Sequence, residues 1–175
     1  MAFSLYAAVV PPYLQILGSV SEWLVKARTS CAERKIPETD LVQACLAPDM
    51  LPFAYQVKAT GLHSIGAIEA IRKGVFVPDA TSTPATIAEL QSRVAATLTA
   101  LAAVVPAEVD GFVGRDVCFS LPSRNLRLDF TAEDFLTSFS MPNFYFHATT
   151  AYDILRWKGV AIGKRDFMGQ LRVKS

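Results

Sequence analysis

The chain has 175 residues, of which 51% are hydrophobic and 19% charged, and its 17 basic and 16 acidic side chains leave a formal net charge of +1. That length supports a buried core, and that apolar content excludes a disordered chain. The even charge balance supplies no electrostatic footprint for nucleic acid or an anionic membrane, so neither is expected as a partner.

No charged residue precedes Glu22. The segment nevertheless lacks a basic leader, is interrupted by Pro11 and Pro12, and carries Gln15, Gly18, Ser19 and Ser21. It reads as a buried helix of a cytoplasmic protein and not as a signal peptide or a membrane span. The first long helix is expected to start at the two prolines, which suit a first turn. It continues through Tyr13, Leu14, Leu17, Val20, Trp23, Leu24 and Ala27 at helical spacing, and Pro37 ends it. A short helical piece over Glu38–Cys45 follows.

The second helix is expected from Asp49, with Pro52 in its first turn, to Lys73-Gly74, a cation followed by a glycine. Phe53, Val57, Leu62, Ile65, Ile68 and Ile71 form its apolar face. Val75–Thr83 reads as a loop. Thr86-Ile87-Ala88-Glu89 is a capping box that starts the third helix, which runs to about Val105. Val117–Leu121 and Leu126–Phe130 flank Pro122–Asn125 and predict a hairpin. Thr131–Asp134 starts the fourth helix, which runs to Lys158 with Gly159 as its stop. Pro142 inside it predicts a kink that frees the Ser138 carbonyl. The expected fold is all-α: a four-helix bundle in one domain over residues 1–175, with a small β-hairpin between helices three and four.

From Phe135 to Tyr152 the fourth helix carries no formal charge, counting His147 as neutral. Such a helix is mostly buried, so its polar groups need partners or a cavity. Asn143, His147 and Thr150 lie on one face at i, i+4 and i+7. Gln56, Thr60 and His63 have the same spacing on the second helix. Two polar stripes on two core helices predict a shared small-molecule site between them. The candidate catalytic residue is His147, as general acid or base. Gln56, Thr60, His63, Asn143 and Thr150 are the candidate substrate contacts, with Thr150 supporting the imidazole. Each has a plainer reading. His147 and Gln56 can be hydrogen-bonded core residues, Asn143 can satisfy backbone groups at the proline kink, and His63 can be a surface residue.

The stretches Leu46–Met50, Gln56-Val57, Met141–His147, Thr149–Tyr152, Ile154–Arg156 and Gly163–Asp166 resemble a domain-of-unknown-function family in the DinB/YfiT-like superfamily. The resemblance covers nearly the whole chain and implies a four-helix bundle, often dimeric. A homodimer is therefore expected, with Leu5, Tyr6, Val9 and Val10 as candidate contacts. Many superfamily members bind a divalent metal through one histidine of the second helix and an HxxxH pair on the fourth, some for thiol-transfer or hydrolytic chemistry. Here the pair reads Asn143-x-x-x-His147, and the chain has 2 histidines in all. A three-histidine site is thus impossible, and no cofactor is expected; a metal-dependent transferase or hydrolase is the alternative, and a non-catalytic interaction or stress protein a third. The cysteines Cys31, Cys45 and Cys118 are odd in number and widely spaced. They fit a reducing compartment, and no CxxC pair offers zinc thiolates.

Overall fold

The structure, a computed structural model, describes residues 4–174. It is mostly helical, with a small three-stranded sheet. No helix among the described residues is long and apolar enough to cross a membrane.

Helix α1 spans Leu5–Arg34 and is the spine of the molecule. It starts well before the prolines expected to open it, because Ser4 is the cap: its backbone is extended and its hydroxyl accepts the Ala7 N–H at 3.3 Å. Pro11 and Pro12 therefore lie inside the helix, where they withhold donors from the Ala7 and Ala8 carbonyls. Both alanines are partly exposed, so water can reach those oxygens. The far end closes as a Schellman motif: Lys35 turns left-handed (φ 53°), its N–H bonds the Ala32 carbonyl, and Ile36 N–H reaches the Cys31 carbonyl at 3.1 Å. Val9, Val10, Tyr13, Leu17, Trp23 and Leu24 are all buried to 1% exposure or less. Val9 and Val10 are thus core residues, and Leu5 and Tyr6 pack against that core. They do not form the exposed patch expected to support a dimer.

The short helix α2 (Glu38–Val42) leads to α3 (Phe53–Leu62), which Pro52 opens from the N-cap position. The expected continuous helix over Asp49–Lys73 is broken. It stops at His63 and restarts as α4 (Ile65–Lys73). Ser64 carries the break with φ −119° and ψ −93°. Its hydroxyl donates to the Thr60 carbonyl at 2.6 Å and competes with the helix for that acceptor. Gly61 sits beside the break because α3 presses on the helix over Ile87–Ala102 there: a Cβ would meet Thr97 Oγ1 at 3.0 Å. Gly74 ends α4 in the left-handed conformation (φ 74°).

Val75–Phe76, expected in a loop, form strand β1. Helix α5 (Ile87–Ala102) begins at the Thr86 cap, whose hydroxyl accepts the Glu89 N–H at 3.2 Å. Pro106 then starts α6 (Pro106–Asp110), and the Asp110 carboxylate accepts the otherwise unpaired Tyr6 N–H of α1 at 2.9 Å. Strands β2 (Asp116–Leu121) and β3 (Leu126–Thr131) pair antiparallel from Asp116↔Thr131 to Leu121↔Leu126, and β1 pairs parallel to β2 with Phe76 beside Phe119.

The expected fourth helix is not a kinked α-helix. It begins as α7 (Ala132–Asp134), widens into a π-helical segment over Phe135–Ser140, and continues as α8 (Met141–Trp157). Pro142 falls in the first turn of α8, directly after the widened segment that accommodates its missing N–H. Side chains take carbonyls along the widened turn: Thr137 bonds the Glu133 oxygen at 2.7 Å, Ser138 the Asp134 oxygen at 2.6 Å, and Asn143 the Phe139 oxygen at 2.7 Å. Gly159, left-handed at φ 80°, follows α8, and Arg34 Nη1 donates to the Lys158 carbonyl there at 2.6 Å. Helix α9 (Lys164–Met168) docks back on α1, where Trp23 Nε1–H bonds the Asp166 carbonyl at 3.0 Å and Lys26 pairs with the Asp166 carboxylate.

Lys58, on α3, was unmarked in the sequence and is buried. Its ammonium meets the Asp79 carboxylate at 3.0 Å and the Asp79 and Thr81 carbonyls at 3.3 and 2.6 Å. Burial opposes the Asp79 charge, but bonds from Thr81 and Lys58 outweigh it and hold the carboxyl at about 2. This cluster fastens the loop after β1 to α3. Lys58→Met keeps the apolar stem but leaves these acceptors unpaired. It should cost about 2 kcal/mol or more in urea unfolding, as the loss of charged hydrogen bonds requires; an unchanged midpoint would refute the tether.

Candidate functional site

Helices α3 and α8 pack directly against each other, and their facing sides carry Gln56 and His147. The Gln56 amide nitrogen donates to the Leu51 carbonyl at 2.8 Å. That bond turns Oε1 toward His147 Nδ1, 2.7 Å away. Since the amide oxygen only accepts, Nδ1 carries the proton and Nε2 keeps a lone pair. Gln56 is 2% exposed, whereas His147 reaches the surface in part.

His63 is the second member. It is 7% exposed and not the surface residue that its neighbours Gly61 and Ser64 suggested. Ending α3 at His63 turns its ring inward, nearly parallel to that of His147 (5.6 Å between centroids, 19° between planes). Phe76 stacks on it at 5.4 Å and Phe139 approaches edge-on at 5.8 Å. The sheet has a role here, because β2 holds the short β1 and thereby Phe76 against this imidazole. The His63 backbone carbonyl, left over at the helix break, accepts the Ser140 hydroxyl at 3.0 Å.

Two buried polar atoms lack a hydrogen-bond partner among the described residues, His63 Nδ1 and the Tyr13 hydroxyl. Burial drives the Tyr13 phenol well above its ordinary range; the nearby Ser140 hydroxyl opposes this weakly and is committed to His63. Tyr55 and Phe146 rim the pair, with ring centroids 6.0 and 5.4 Å from that of His147. Phe146 is 56% exposed and Leu51 51%, so the rim is apolar and open to solvent.

The remaining expected residues lie elsewhere in function or place. Thr60 is fully buried and donates to the Val57 carbonyl at 2.7 Å. Asn143 is turned onto its own helix by the Phe139 carbonyl. Thr150 is buried, and the bond of the His147 ring goes to Gln56, not to Thr150. Tyr55, Ser140 and Tyr13 were missed. Ser140, two residues before Pro142, could have been flagged by its proline context; nothing local marks Tyr13 or Tyr55. A separate groove of about 1040 Å³ lies between α1 and the C-terminal segment, lined by Gln15, Ser19, Glu22, Lys26 and Arg172 among others. Its Lys26 is already paired with Asp166. The histidine pair, with an unpaired buried nitrogen, is the stronger candidate for chemistry.

Residues 5–168 match the family described as a domain of unknown function (DUF1993). The chain belongs to this family. It is also similar to a solved structure described as the crystal structure of a DinB family member protein from Shewanella denitrificans at 1.83 Å resolution. That similarity has 27% identity and a TM-score of 0.80, and covers 98% of this chain and 95% of that one. No curated protein matches. In this DUF1993 chain the donors near His147 are two imidazoles and one amide. No group of three His, Cys, Asp or Glu able to hold a metal exists among the described residues. The site therefore does not fit the three-ligand metal centre that the superfamily resemblance implied.

Burial lowers the His63 imidazole to about 3, aided by the neighbouring His147, and lowers His147 to about 4. Both rings are neutral in the fold at pH 7, whereas an unfolded histidine titrates near 6.5. Between pH 6.5 and about 4 the unfolded chain binds more protons than the folded one, so stability falls as pH falls. The loss from pH 7 to pH 5 should be roughly 1–2 kcal/mol per imidazole. Urea titrations should show this slope in the wild type and a flatter one in His63→Gln/His147→Gln; parallel slopes would contradict the assigned neutral pair.

Proposed function

We propose that this protein is a small-molecule-binding helical bundle whose site is the His147–Gln56–His63 group between α3 and α8. His147 is its acid–base residue. In this reading α1, α3 with α4, α5, and α7 with α8 correspond to the four helices of a DinB-type bundle, in one cytoplasmic domain. The free cysteines are consistent with that location. The observation that carries the reading is the 2.7 Å contact of His147 Nδ1 with Gln56 Oε1, from which the tautomer follows. A neutral imidazole anchored through Nδ1–H offers one lone pair, at Nε2, beside an apolar aromatic rim. A ligand that fits is a small, partly apolar molecule with a hydroxyl, thiol or acidic C–H to present to Nε2. Burial keeps charge off the acceptor ring, against which His63 stacks, so His147 acts from its neutral form and accepts a proton. A substrate that brings negative charge beside the ring raises the basicity that burial has lowered.

Thermal-shift screening with small hydroxy, thiol and carboxylate compounds tests this. His147→Gln should keep stability within about 1 kcal/mol, since Gln can still donate to Gln56 Oε1, and should lose hits that stabilise the wild type. Gln56→Glu should raise the His147 pKa, read by NMR titration, and shift the pH dependence of any activity upward. A His147→Gln variant that melts far lower and still binds every hit would sink the site and leave His147 a structural residue.

The metal-dependent alternative has one feature in its favour, because a metal-binding imidazole commonly has its other N–H fixed by a carbonyl or carboxylate oxygen. The donor set speaks against it, with an amide as third donor where zinc takes His, Cys or carboxylate. Protein purified without added metal should carry well under one equivalent of zinc, nickel, manganese or iron by elemental analysis. Near-stoichiometric metal that disappears in His147→Ala would reverse the order of the two readings.

A further inference from the structure

Strand β3 is an edge. It pairs with β2 on one side, and no other strand pairs with it among the described residues. Leu126, Arg127, Leu128 and Asp129 are all exposed. Ala132 N–H bonds the Arg115 carbonyl at 2.8 Å, one pair beyond Asp116↔Thr131, and so sets the alternation of the ladder. Cys118 N–H agrees with it, pointing away from β3 to the Gly74 carbonyl at 3.1 Å. By that alternation the backbone groups of Leu126, Leu128 and Phe130 face β2, while the N–H and C=O of Arg127 and Asp129 point out of the free edge.

An exposed edge invites another strand, and charge on the edge normally discourages it. The order Leu126-Arg127-Leu128-Asp129-Phe130 does the opposite for one specific visitor. An antiparallel copy centred on Leu128 places Arg127 opposite the partner's Asp129 and Asp129 opposite the partner's Arg127. Those are the two positions whose backbone groups are free to bond across the edge. On the sheet's other face Leu128 meets the partner's Leu128, and Leu126 meets the partner's Phe130. Leu126 and Leu128 are each 40% exposed in the single chain. The charged pair already lies on one face, with Arg127 Nη2 2.8 Å from the Asp129 carboxylate and side chains 67% and 68% exposed. No proline, lysine or bulge interrupts the register over this strand.

We propose that β3 is a self-recognition edge: two copies of this chain pair antiparallel about Leu128 and join their sheets into one. The occupant is a second copy because the strand's charge order is complementary to itself under a two-fold axis; a parallel strand or a strand of uniform charge would not match it. The left-handed Asn125 (φ 48°) and the start of α7 at Ala132 bound the strand at its two ends. The contact is therefore short, below the size of a stable interface, and the dimer is weak and concentration-dependent.

Sedimentation velocity from micromolar to millimolar concentrations tests the pairing. The wild type should move reversibly from monomer to dimer. Arg127→Asp and Asp129→Arg each place like charges opposite one another twice and should weaken self-association by at least tenfold. Mixed together, these two variants restore both opposite-charge pairs and should form a heterodimer. The double exchange Arg127→Asp/Asp129→Arg in one chain should self-associate again, which separates lost pairing from lost folding. Circular dichroism melts of the variants should match the wild type, since both side chains are exposed. A wild type that stays monomeric throughout, single variants that dimerise unchanged, or a mixture that fails to associate would each overturn the proposal.

Discussion

The hydrogen bond from the Ser140 hydroxyl to the His63 carbonyl joins the two irregularities on which the site depends. On one side is the break between α3 and α4; on the other is the end of the π-helical segment before α8. Each irregularity alone would bury backbone groups without partners, at about 1–3 kcal/mol apiece. Facing one another, they meet in one bond, in which the Ser140 hydroxyl satisfies the His63 carbonyl left over at the break. The break frees His63 to end a helix and turn inward. The widened turn inserts an extra residue into the helical phase and rotates everything after it by about 100° relative to a regular helix. Only with that rotation do Phe144 and Ala148 face the core while His147 meets Gln56. The position of the imidazole pair is thus fixed by two departures from regular helix, not by the helices themselves.

The regular parts of this fold were written in local chemistry. Thr86 and Thr131 cap the helices they were expected to cap, Gly74 turns left-handed after Lys73, and Gly159 follows α8. The antiparallel strands Asp116–Leu121 and Leu126–Thr131 pair on either side of a Pro-Ser-Arg-Asn turn. What could not be read depends on partners distant in sequence. Ser64 breaks a helix that periodicity carried straight through. Val75-Phe76 become a strand only because β2, some forty residues on, lies beside them. Pro142 announced a disturbance but not its form. A kink and a widened turn relieve the same missing donor, and tertiary packing chooses between them.

The contact at the centre of the candidate site was legible in two residues, and its surroundings were blurred. His147 and Gln56 are paired, and helical spacing had placed each on an inward stripe. The same spacing promoted Thr60, Asn143 and Thr150, which share a stripe but answer to their own backbone or to packing. A stripe reports direction from the helix axis and says nothing of what a short hydroxyl or amide finds first. Asn143 shows the difference well: at the position where the resemblance implied a ligating histidine, a side chain one turn from a π segment is drawn to the Phe139 carbonyl. The pair that remains is electrically quiet, because burial discourages a proton on both rings and His147 adds to that effect on His63.

The docking of α9 on α1 gives the molecule a built-in optical reporter. Trp23 is 1% exposed, stacks on Phe167 with 5.5 Å between ring centroids, and donates its indole N–H to the Asp166 carbonyl. Trp157 is 60% exposed, with the Lys158 ammonium 4.5 Å from its ring centroid. One indole therefore emits from an apolar enclosure closed by the C-terminal helix, and the other from water. A dissolved quencher such as iodide reaches the second and not the first. The unquenched, blue-shifted share of the fluorescence belongs to Trp23 and follows the seating of α9, while the quenchable share follows the solvent.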